Sequence, residues 1–257
     1  MNHLRCLTDK ASWQRGRAWL VRSRAACVVA GLLLAAPGRP AQAQQVLVHA
    51  NVADDTVKTT FGPNRRYFGH FYTSYCLVSG AAETGAAVRY GPSSSEIRTG
   101  ARLKRRFNQV LAVNLDLGYA YLVNALVQSP QKTLPSAVQH RSESLRQHQL
   151  YSDLGVRLNV GRRGNYVGRY LDLLGGVSRN AATAHRTEDD PAPGIGSVET
   201  TERGLPYLRP WTFGAGARLG IDRYALTGRY RLTSAFQPQY GYAELPRWLL
   251  GLEIGLF

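Results

Sequence analysis

Apolar and polar residues alternate with a period of two along most of the chain, and residues 245–257 show this most clearly. In that stretch the apolar positions are Trp248, Leu250, Leu252, Ile254 and Leu256. A period of two predicts a β-strand with one continuous apolar face. The opposite face carries arginine, glutamate and glycine, which would make a poor protein core. An apolar outer face and a polar or small inner face are what a membrane-spanning barrel requires.

The same alternation recurs in seven earlier stretches of the chain. The apolar faces of these predicted strands include Phe71, Leu103, Leu117, Leu154, Val167 with Leu171, Phe213 and Leu226. Glycines recur on the opposite faces, where they suit a crowded, tapering interior better than a solvated surface. We therefore expect eight strands in all, which is an even number.

The connections between the predicted strands are of two kinds. Tight turns are predicted near residues 108–109, 161–165 and 222–223, and longer loops at about 79–94, 129–147, 180–206 and 236–245. Short turns on the periplasmic side and long loops on the other side are typical of outer-membrane barrels. The sequence thus predicts an all-β fold, an eight-stranded antiparallel up-and-down transmembrane β-barrel over residues 66–257. Its loops would be extracellular and its termini periplasmic.

Aromatic residues on the apolar faces fall near both ends of the predicted strands. Tryptophan and tyrosine at such positions anchor a protein at the two interfaces of a bilayer. We expect one girdle at the periplasmic end, formed by Tyr67, Phe107 and Tyr224. A second girdle at the outer end would consist of Tyr75, Tyr119, Tyr121, Trp211 and Trp248.

Residues 1–43 have the features of a cleaved signal peptide. A basic region precedes an apolar segment at 25–37, and Ala41-Gln42-Ala43 is a small-x-small cleavage site. A transmembrane anchor is the alternative, but the apolar segment is shorter than the roughly 20 residues that a spanning helix needs. After residue 43 no apolar run is long enough for such a helix, so a membrane span would use strands. Residues 44–65 would form a periplasmic tail, a plug or part of the first strand.

Charge and cysteine content narrow the classes of partner. The chain has 32 Lys and Arg against 17 Asp and Glu, and without residues 1–43 the balance becomes 25 against 16, or +9. A basic surface can indicate nucleic-acid binding, but an exported protein meets the phosphates of lipopolysaccharide instead. We expect outer-membrane lipids and lipopolysaccharide as partners, no nucleic acid, no cofactor or metal, and a monomer. Cys76 is the only cysteine after residue 43, which leaves no intramolecular disulfide.

In its alternation and its terminal aromatic residue, the chain from about residue 50 resembles the small, single-domain bacterial outer-membrane β-barrel proteins. The resemblance implies that Phe257 is an assembly signal read by the barrel-assembly machinery. In that family apolar residues occupy every second position before the terminal Phe, whereas this chain has Gly255, Glu253 and Gly251 there. Either the last strand has a bulge near its end, or Phe257 lies just past the last paired residue.

The predicted inner faces carry many charges. An eight-stranded barrel is only wide enough to be filled by side chains or to hold one small ligand, and buried charges must be paired. We expect a charge network that fills the lumen, formed by Glu96, Arg98, Arg102, Asp116, Asp153, Arg157, Asp172, Arg218, Arg229, Arg231 and Glu253. Because basic residues outnumber acidic ones on these faces, a narrow anion-preferring pore is the alternative.

Two further interpretations of the sequence are an outer-membrane enzyme and a soluble β-protein. Some outer-membrane barrels deacylate lipid A with a His-x-Ser arrangement, and His140-Arg141-Ser142-Glu143 is superficially similar, with a carboxylate that could orient the histidine. This fragment and the acidic run 188–190 lie in predicted polar loops, so we expect both to be solvated and no residue to be catalytic. A soluble β-barrel would place its apolar residues inside. The sequence favours a non-catalytic outer-membrane scaffold whose long loops, above all 180–206, contact partners.

Overall fold

Nine β-strands and two 3₁₀ turns make up the computed structural model, which describes residues 59–161, 164–190 and 196–257. The strands are β1 Tyr67–Ser79, β2 Ser95–Arg106, β3 Leu111–Ala125, β4 Ser142–Val160, β5 Arg169–Asp189, β6 Val198–Arg203, β7 Trp211–Ile221, β8 Tyr224–Arg231 and β9 Trp248–Leu256. The 3₁₀ turns are Gly91–Ser93 and Pro238–Tyr240. No helix in this part of the chain is long and apolar enough to cross a membrane. The predicted signal peptide, residues 1–43, and residues 44–58 lie outside the described residues.

Among the described residues, eight strands close into a ring by antiparallel pairing between neighbours. The order around the sheet is β4-β3-β2-β1-β9-β8-β7-β5, and β4 also pairs with β5. The first and last strands pair from Phe71 opposite Leu256 to Ser79 opposite Trp248. Strand β6 lies outside the ring and pairs with the far end of β5. The predicted eight-stranded antiparallel up-and-down barrel is confirmed.

Along the ring strands, side chains alternate between an exposed apolar outer face and a buried inner face. On β9, Leu252 is 65% exposed whereas its neighbour Glu253 is 3% exposed. Exposed apolar side chains occur on all eight ring strands, among them Phe71, Leu103, Leu117, Leu154, Leu173, Leu219, Leu226 and Leu252. We call this outer surface the apolar belt. It is the reverse of a soluble barrel, whose apolar side chains fill the interior.

Strands β4 and β5 are longer than the sequence pattern predicts. Strand β4 begins at Ser142, β5 continues to Asp189, and β6 lies wholly within the predicted loop 180–206. The predictions of loops at 129–147 and 180–206 are therefore wrong in part, since both contain strand residues. The outer faces of these extensions carry polar or small residues such as Ser144, Arg146 and Ala182. The apolar alternation that marks the other strands is therefore missing there.

The rim with the short turns is covered by the chain itself. Val167 precedes β5 and is buried with Phe68, Tyr170 and Ala225, so its predicted outward position is wrong. It belongs to the turn that packs on this rim and not to the strand. Residues 59–65 also cover the rim, since Asn64 Nδ2 donates to the carbonyl oxygen of Gly164 at 2.7 Å. Within 44–65, the described residues thus precede the first strand and do not extend it.

The four long connections pack together over the opposite rim. One hydrophobic cluster draws residues from all of them and from the adjoining strand ends: Val78, Ala86, Val88, Leu122, Leu126, Leu134, Leu145, Leu205, Tyr207, Leu208, Ala235, Phe236 and Leu245. Backbone hydrogen bonds also join the connections, from Thr133 N to Gly85 O and from Glu83 N to Glu244 O, each at 3.1 Å. We call this cluster and its loops the cap. Loop residues have no regular period, so the sequence pattern did not predict it.

Candidate functional site

Six charged side chains meet in the lumen. This inner cluster consists of Arg102, Asp116, Arg157, Asp172, Arg218 and Glu253, which come from β2, β3, β4, β5, β7 and β9. Each is at most 3% exposed. Because the cluster contains three arginines and three carboxylates, its formal charges cancel. A narrow interior requires this charge balance, because an unpaired buried charge would lower the stability of the fold by several kcal/mol.

Arg218 is the centre of the inner cluster. Its Nη2 lies 2.9 Å from Asp116 Oδ2, its Nη1 2.9 Å from Asp172 Oδ2, and its Nε 3.0 Å from Glu253 Oε2. Arg102 binds Asp116 in a bidentate pair at 2.8 and 2.9 Å. The same guanidinium also donates to Glu253 at 2.8 Å. Arg218 therefore joins three carboxylates from three strands: it donates hydrogen bonds to Asp116 and Asp172 and forms an ion pair with Glu253.

A second bidentate pair extends the inner cluster toward the turn rim. Arg157 donates through Nε and Nη2 to the two oxygens of Asp172 at 2.7 and 2.8 Å. The guanidinium carbon of Arg157 also lies 3.7 Å from the ring centroid of Tyr170. Bidentate and stacked geometries use the planar guanidinium in ways that lysine cannot reproduce.

Four further charges form an outer cluster nearer the cap. Arg98 donates to Glu96 at 3.1 Å and to Asp153 at 2.9 Å. Arg229 Nη2 lies 3.0 Å from Asp153 Oδ2. The two arginines balance the two carboxylates, so the outer cluster is also neutral. The excess of basic residues that favoured an anion-preferring pore is therefore not present in the two clusters that cross the lumen.

A pair of tyrosines lies between the two clusters. The hydroxyls of Tyr72 and Tyr151 are 2.7 Å apart, and Arg98 stacks over the ring of Tyr151 at 3.9 Å. Glycine is required beside them, since a Cβ on Gly100 or Gly118 would lie 2.5 or 2.6 Å from the Tyr151 hydroxyl. The glycines on the inner face thus make room for the Tyr151 side chain, which lies across the inner faces of the neighbouring strands β3 and β2.

Arg231 does not join either cluster, and its predicted place in the lumen network is wrong. Its Nη2 lies 2.6 Å from Glu244 Oε1 and donates to the carbonyl oxygen of Leu245 at 3.2 Å. Strand β8 ends at Arg231, and the loop before β9 returns Glu244 to this position. Arg231 therefore fastens the cap to the top of the barrel wall.

A small cavity lined by both polar and apolar side chains separates the outer cluster from the cap. Its volume is about 80 Å³, and its lining includes Asn124, Gln147 and Arg229. In the described structure, Asn124 Nδ2 and Gln147 Nε2 are buried and have no hydrogen-bond partner. A cavity of this size and polarity has room for a few water molecules.

Glu143 is the polar centre of the cap, and the prediction that it lies in a solvated loop is wrong. It is 2% exposed, forms an ion pair with Lys132, and accepts hydrogen bonds from Gln128 at 2.8 Å and His185 at 2.7 Å. Burial raises the pKa of Glu143, but the hydrogen bonds from His185, Lys132 and Gln128 lower it further, to below its ordinary value of 4.5. Because the folded-state pKa is depressed, this carboxylate stabilises the cap above pH 4.5, and the contribution is lost as the pH falls through that lower pKa.

The His-x-Ser fragment is placed differently from a catalytic arrangement. His140 Nδ1 lies 2.8 Å from Asp189 Oδ2, and Arg141 lies 2.9 Å from Asp190 Oδ1. Ser142 is exposed at the start of β4, and among the described contacts it has no hydrogen bond to His140. The acidic run is therefore not merely solvated, because all three of its members lie at ion-pair distance from His140 or Arg141 in the loop before β4. The described residues also contain no His, Cys, Asp and Glu group arranged to hold a metal ion.

The residues predicted as aromatic girdles all lie on the outer face. Seven of them are exposed and one, Tyr121, is half-buried against His148, at 4.9 Å between ring centroids. The strand register places Tyr67, Phe107 and Tyr224 at the turn end and Tyr75, Tyr119, Tyr121, Trp211 and Trp248 at the loop end. Phe257 follows the end of β9, where its ring packs against His70 and Phe68 at 5.0 and 5.3 Å. It thus lies just past the last paired residue.

The charged residues of the cap were not predicted, although the sequence contains an indication of one of them. Extending the alternation of β4 backward places Glu143, Leu145 and Gln147 on the same inner face as Asp153. Glu244 and Lys132 carry no such signal, since both lie in irregular loops. Their pairing depends on how the four connections fold over one another.

Comparisons with known proteins identify no family for this chain. No family model matches it, and no curated protein sequence matches it. Among solved structures, the chain is similar to the crystal structure of Ail, the attachment invasion locus protein of Yersinia pestis, in complex with the heparin analogue sucrose octasulfate. The likeness covers 73% of this chain and 97% of Ail, at 11% identity and a TM-score of 0.30. The assignment of the fold therefore rests on the strand register described above.

Proposed function

We propose that this protein is a non-catalytic integral protein of the bacterial outer membrane, whose barrel anchors a packed cap outside the cell. The apolar belt is the observation that carries the proposal. A continuous ring of exposed leucine, phenylalanine and tryptophan is far larger than the apolar patches that soluble monomers tolerate. A barrel that spans a bilayer requires such a surface, because its outer wall faces the lipid chains.

The height of the apolar belt supports this environment. Strand β9 has nine residues, all of its outward positions being apolar. Nine residues span about 30 Å along a strand, and a tilt of about 40° reduces this to roughly 23 Å across the membrane. That is close to the apolar band of about 25 Å in outer-membrane barrels.

Scaffolding is better supported than transport. The inner and outer clusters cross the lumen with matched charges, and the cap packs over one rim. An eight-stranded barrel has no width to spare for a conducting path beside such clusters. The ordered surface that the cap and the β5–β6 hairpin present is the part available for contact with partners.

A charge placed in the apolar belt tests the membrane environment. Leu154 is 61% exposed at the middle of the apolar row of β4. In lipid vesicles, Leu154→Arg should lower the free energy of unfolding by about 2–4 kcal/mol, the cost of arginine at the bilayer midplane. Ser144→Arg, on the same face of β4 beyond the belt, is the matched control and should have little effect. Equal stability of both variants and the parent, or a parent chain that stays dissolved without detergent, would contradict the proposal.

Labelling of intact cells tests the orientation. The residue Glu199 is exposed on β6, and Arg223 is exposed in the turn between β7 and β8. A membrane-impermeant maleimide should label Glu199→Cys on intact cells and Arg223→Cys only after the cells are broken. Cys76 is buried and should not interfere. The opposite labelling pattern would show that the cap faces the periplasm.

A further inference from the structure

A basic groove lies directly beyond the apolar belt on the outer face of β4, β5 and β6. Strand β5 leaves β7 at the pair Arg179 and Trp211 and continues alongside β6. Beyond this pair, β4, β5 and β6 continue as a three-stranded sheet without β7. A groove of about 830 Å³ lies along the outer face of this three-stranded sheet. Its lining includes Arg146, Arg186, Arg203, His148, Tyr121 and Glu199.

The three arginines of this groove are neighbours in the sheet. Arg146 and Arg203 both pair with Ala184, from opposite sides, and Arg186 is two residues further along β5. Only a small side chain therefore separates Arg146 from Arg203, which leaves the groove open between them. Arg186 forms an ion pair with Glu199. Within the described residues, Arg146 and Arg203 have no carboxylate at ion-pair distance, so the groove keeps an excess of two positive charges.

The groove is at the level of lipid headgroups if the barrel spans a bilayer as proposed. On β4 the last apolar outward residue is Leu150, and the outward positions that follow are His148 and Arg146. Four residues of strand, from Leu150 to Arg146, correspond to about 13 Å, or roughly 10 Å above the belt for a tilted strand. Tyr119, of the loop-end girdle, bonds to His148 at this edge. The groove therefore opens onto both the apolar belt and the polar layer above it.

We infer that this groove binds the phosphate groups of a lipid A headgroup whose acyl chains lie along the belt. Paired arginines recognise phosphate through charge-assisted, bidentate hydrogen bonds. A lipid anion fits this position better than a free one, because the groove is continuous with a surface that acyl chains would cover. The inference rests on the proposed outer-membrane location, since lipid A would be out of reach of a soluble protein.

Binding of lipid A to the folded chain in neutral phosphatidylcholine nanodiscs tests the inference. Native mass spectrometry should detect bisphosphorylated lipid A on the parent chain. The variant Arg146→Gln, Arg186→Gln, Arg203→Gln should bind it at least about tenfold more weakly. Each surface arginine contributes a factor of roughly ten or less to the affinity for an anionic lipid, so the three together are expected to reach this loss. The matched control is Arg66→Gln, Arg105→Gln, Arg169→Gln, which removes the same charge from exposed positions at the turn rim. This control should bind like the parent. Lipid A stripped of its phosphates should bind the parent as weakly as the groove variant binds bisphosphorylated lipid A.

Several results would overturn the inference. Unchanged binding by the groove variant, an equal loss in the control, or equal binding of dephosphorylated lipid A would each show that the groove does not select lipid phosphate. Displacement of lipid A by millimolar inorganic phosphate would show a site for the free anion. A variant that has failed to fold is identified on gels, because its unheated and heated samples migrate alike, whereas the folded barrel migrates differently from the heat-unfolded chain. If the parent does not insert into nanodiscs, the proposed function fails; if it inserts but the groove variant binds normally, only the inference fails.

Discussion

Arg218→Met is expected to lower the free energy of unfolding of the barrel by about 3–5 kcal/mol, the usual cost of removing one partner from a buried ion pair. Arg218 has no exposed surface. It lies 2.9 Å from Asp116, 2.9 Å from Asp172 and 3.0 Å from Glu253. Methionine fills much of the same volume but donates no hydrogen bond. The inner cluster would then hold three carboxylates and two arginines, with one negative charge uncompensated.

Urea unfolding of the barrel in lipid vesicles would measure this effect. Arg229→Met is the control, because Arg229 faces one carboxylate, Asp153, and its side chain is 11% exposed; its loss should cost less. Adding Glu253→Gln to Arg218→Met should recover part of the stability, since it removes the surplus charge. If Arg218→Met unfolded at the same urea concentration as the parent, the inner cluster would not stabilise the barrel.

Leu245→Ala is expected to loosen the cap while the barrel stays closed. Leu245 is completely buried in the hydrophobic cluster of the cap. Truncation of a buried leucine to alanine costs about 2–5 kcal/mol, because apolar contacts are lost and a cavity remains. The cap has few regular backbone hydrogen bonds, whereas the ring strands are fully paired, so the cost should fall on local opening of the cap.

Hydrogen exchange would separate the two parts. Amides of the cap segments 80–94 and 126–141 should exchange faster in Leu245→Ala, while those of β1, β2 and β9 keep their protection. Leu232→Ala is the matched control, since Leu232 belongs to the same connection but is 55% exposed. Equal loss of protection in the cap and the ring would show instead that the cap and barrel unfold as one cooperative unit.

Most of the ring was predictable from residue alternation, and the positions where this prediction is wrong have a common cause. A period of two places neighbouring side chains on opposite faces, so Leu252 outward and Glu253 inward follow directly. The alternation fails where the outer face stops being apolar, as at Ser144 and Arg146 in the extension of β4. It also fails at Val167, an apolar residue in phase with β5 that belongs to the preceding turn. Both failures occur at an end of the apolar belt, where the outer face is no longer apolar.

The sequence by itself determined which residues face the lumen and that the lumen would be charged, because strand geometry is local. Only the tertiary structure decided which charges meet. Arg102, Asp116 and Glu253 lie on three strands, and their contact depends on the stagger between those strands and on closure of the ring. Closure also brings the four long connections together, which buries Leu245 and pairs Arg231 with Glu244. These contacts join residues far apart in the chain, and no local pattern encodes them.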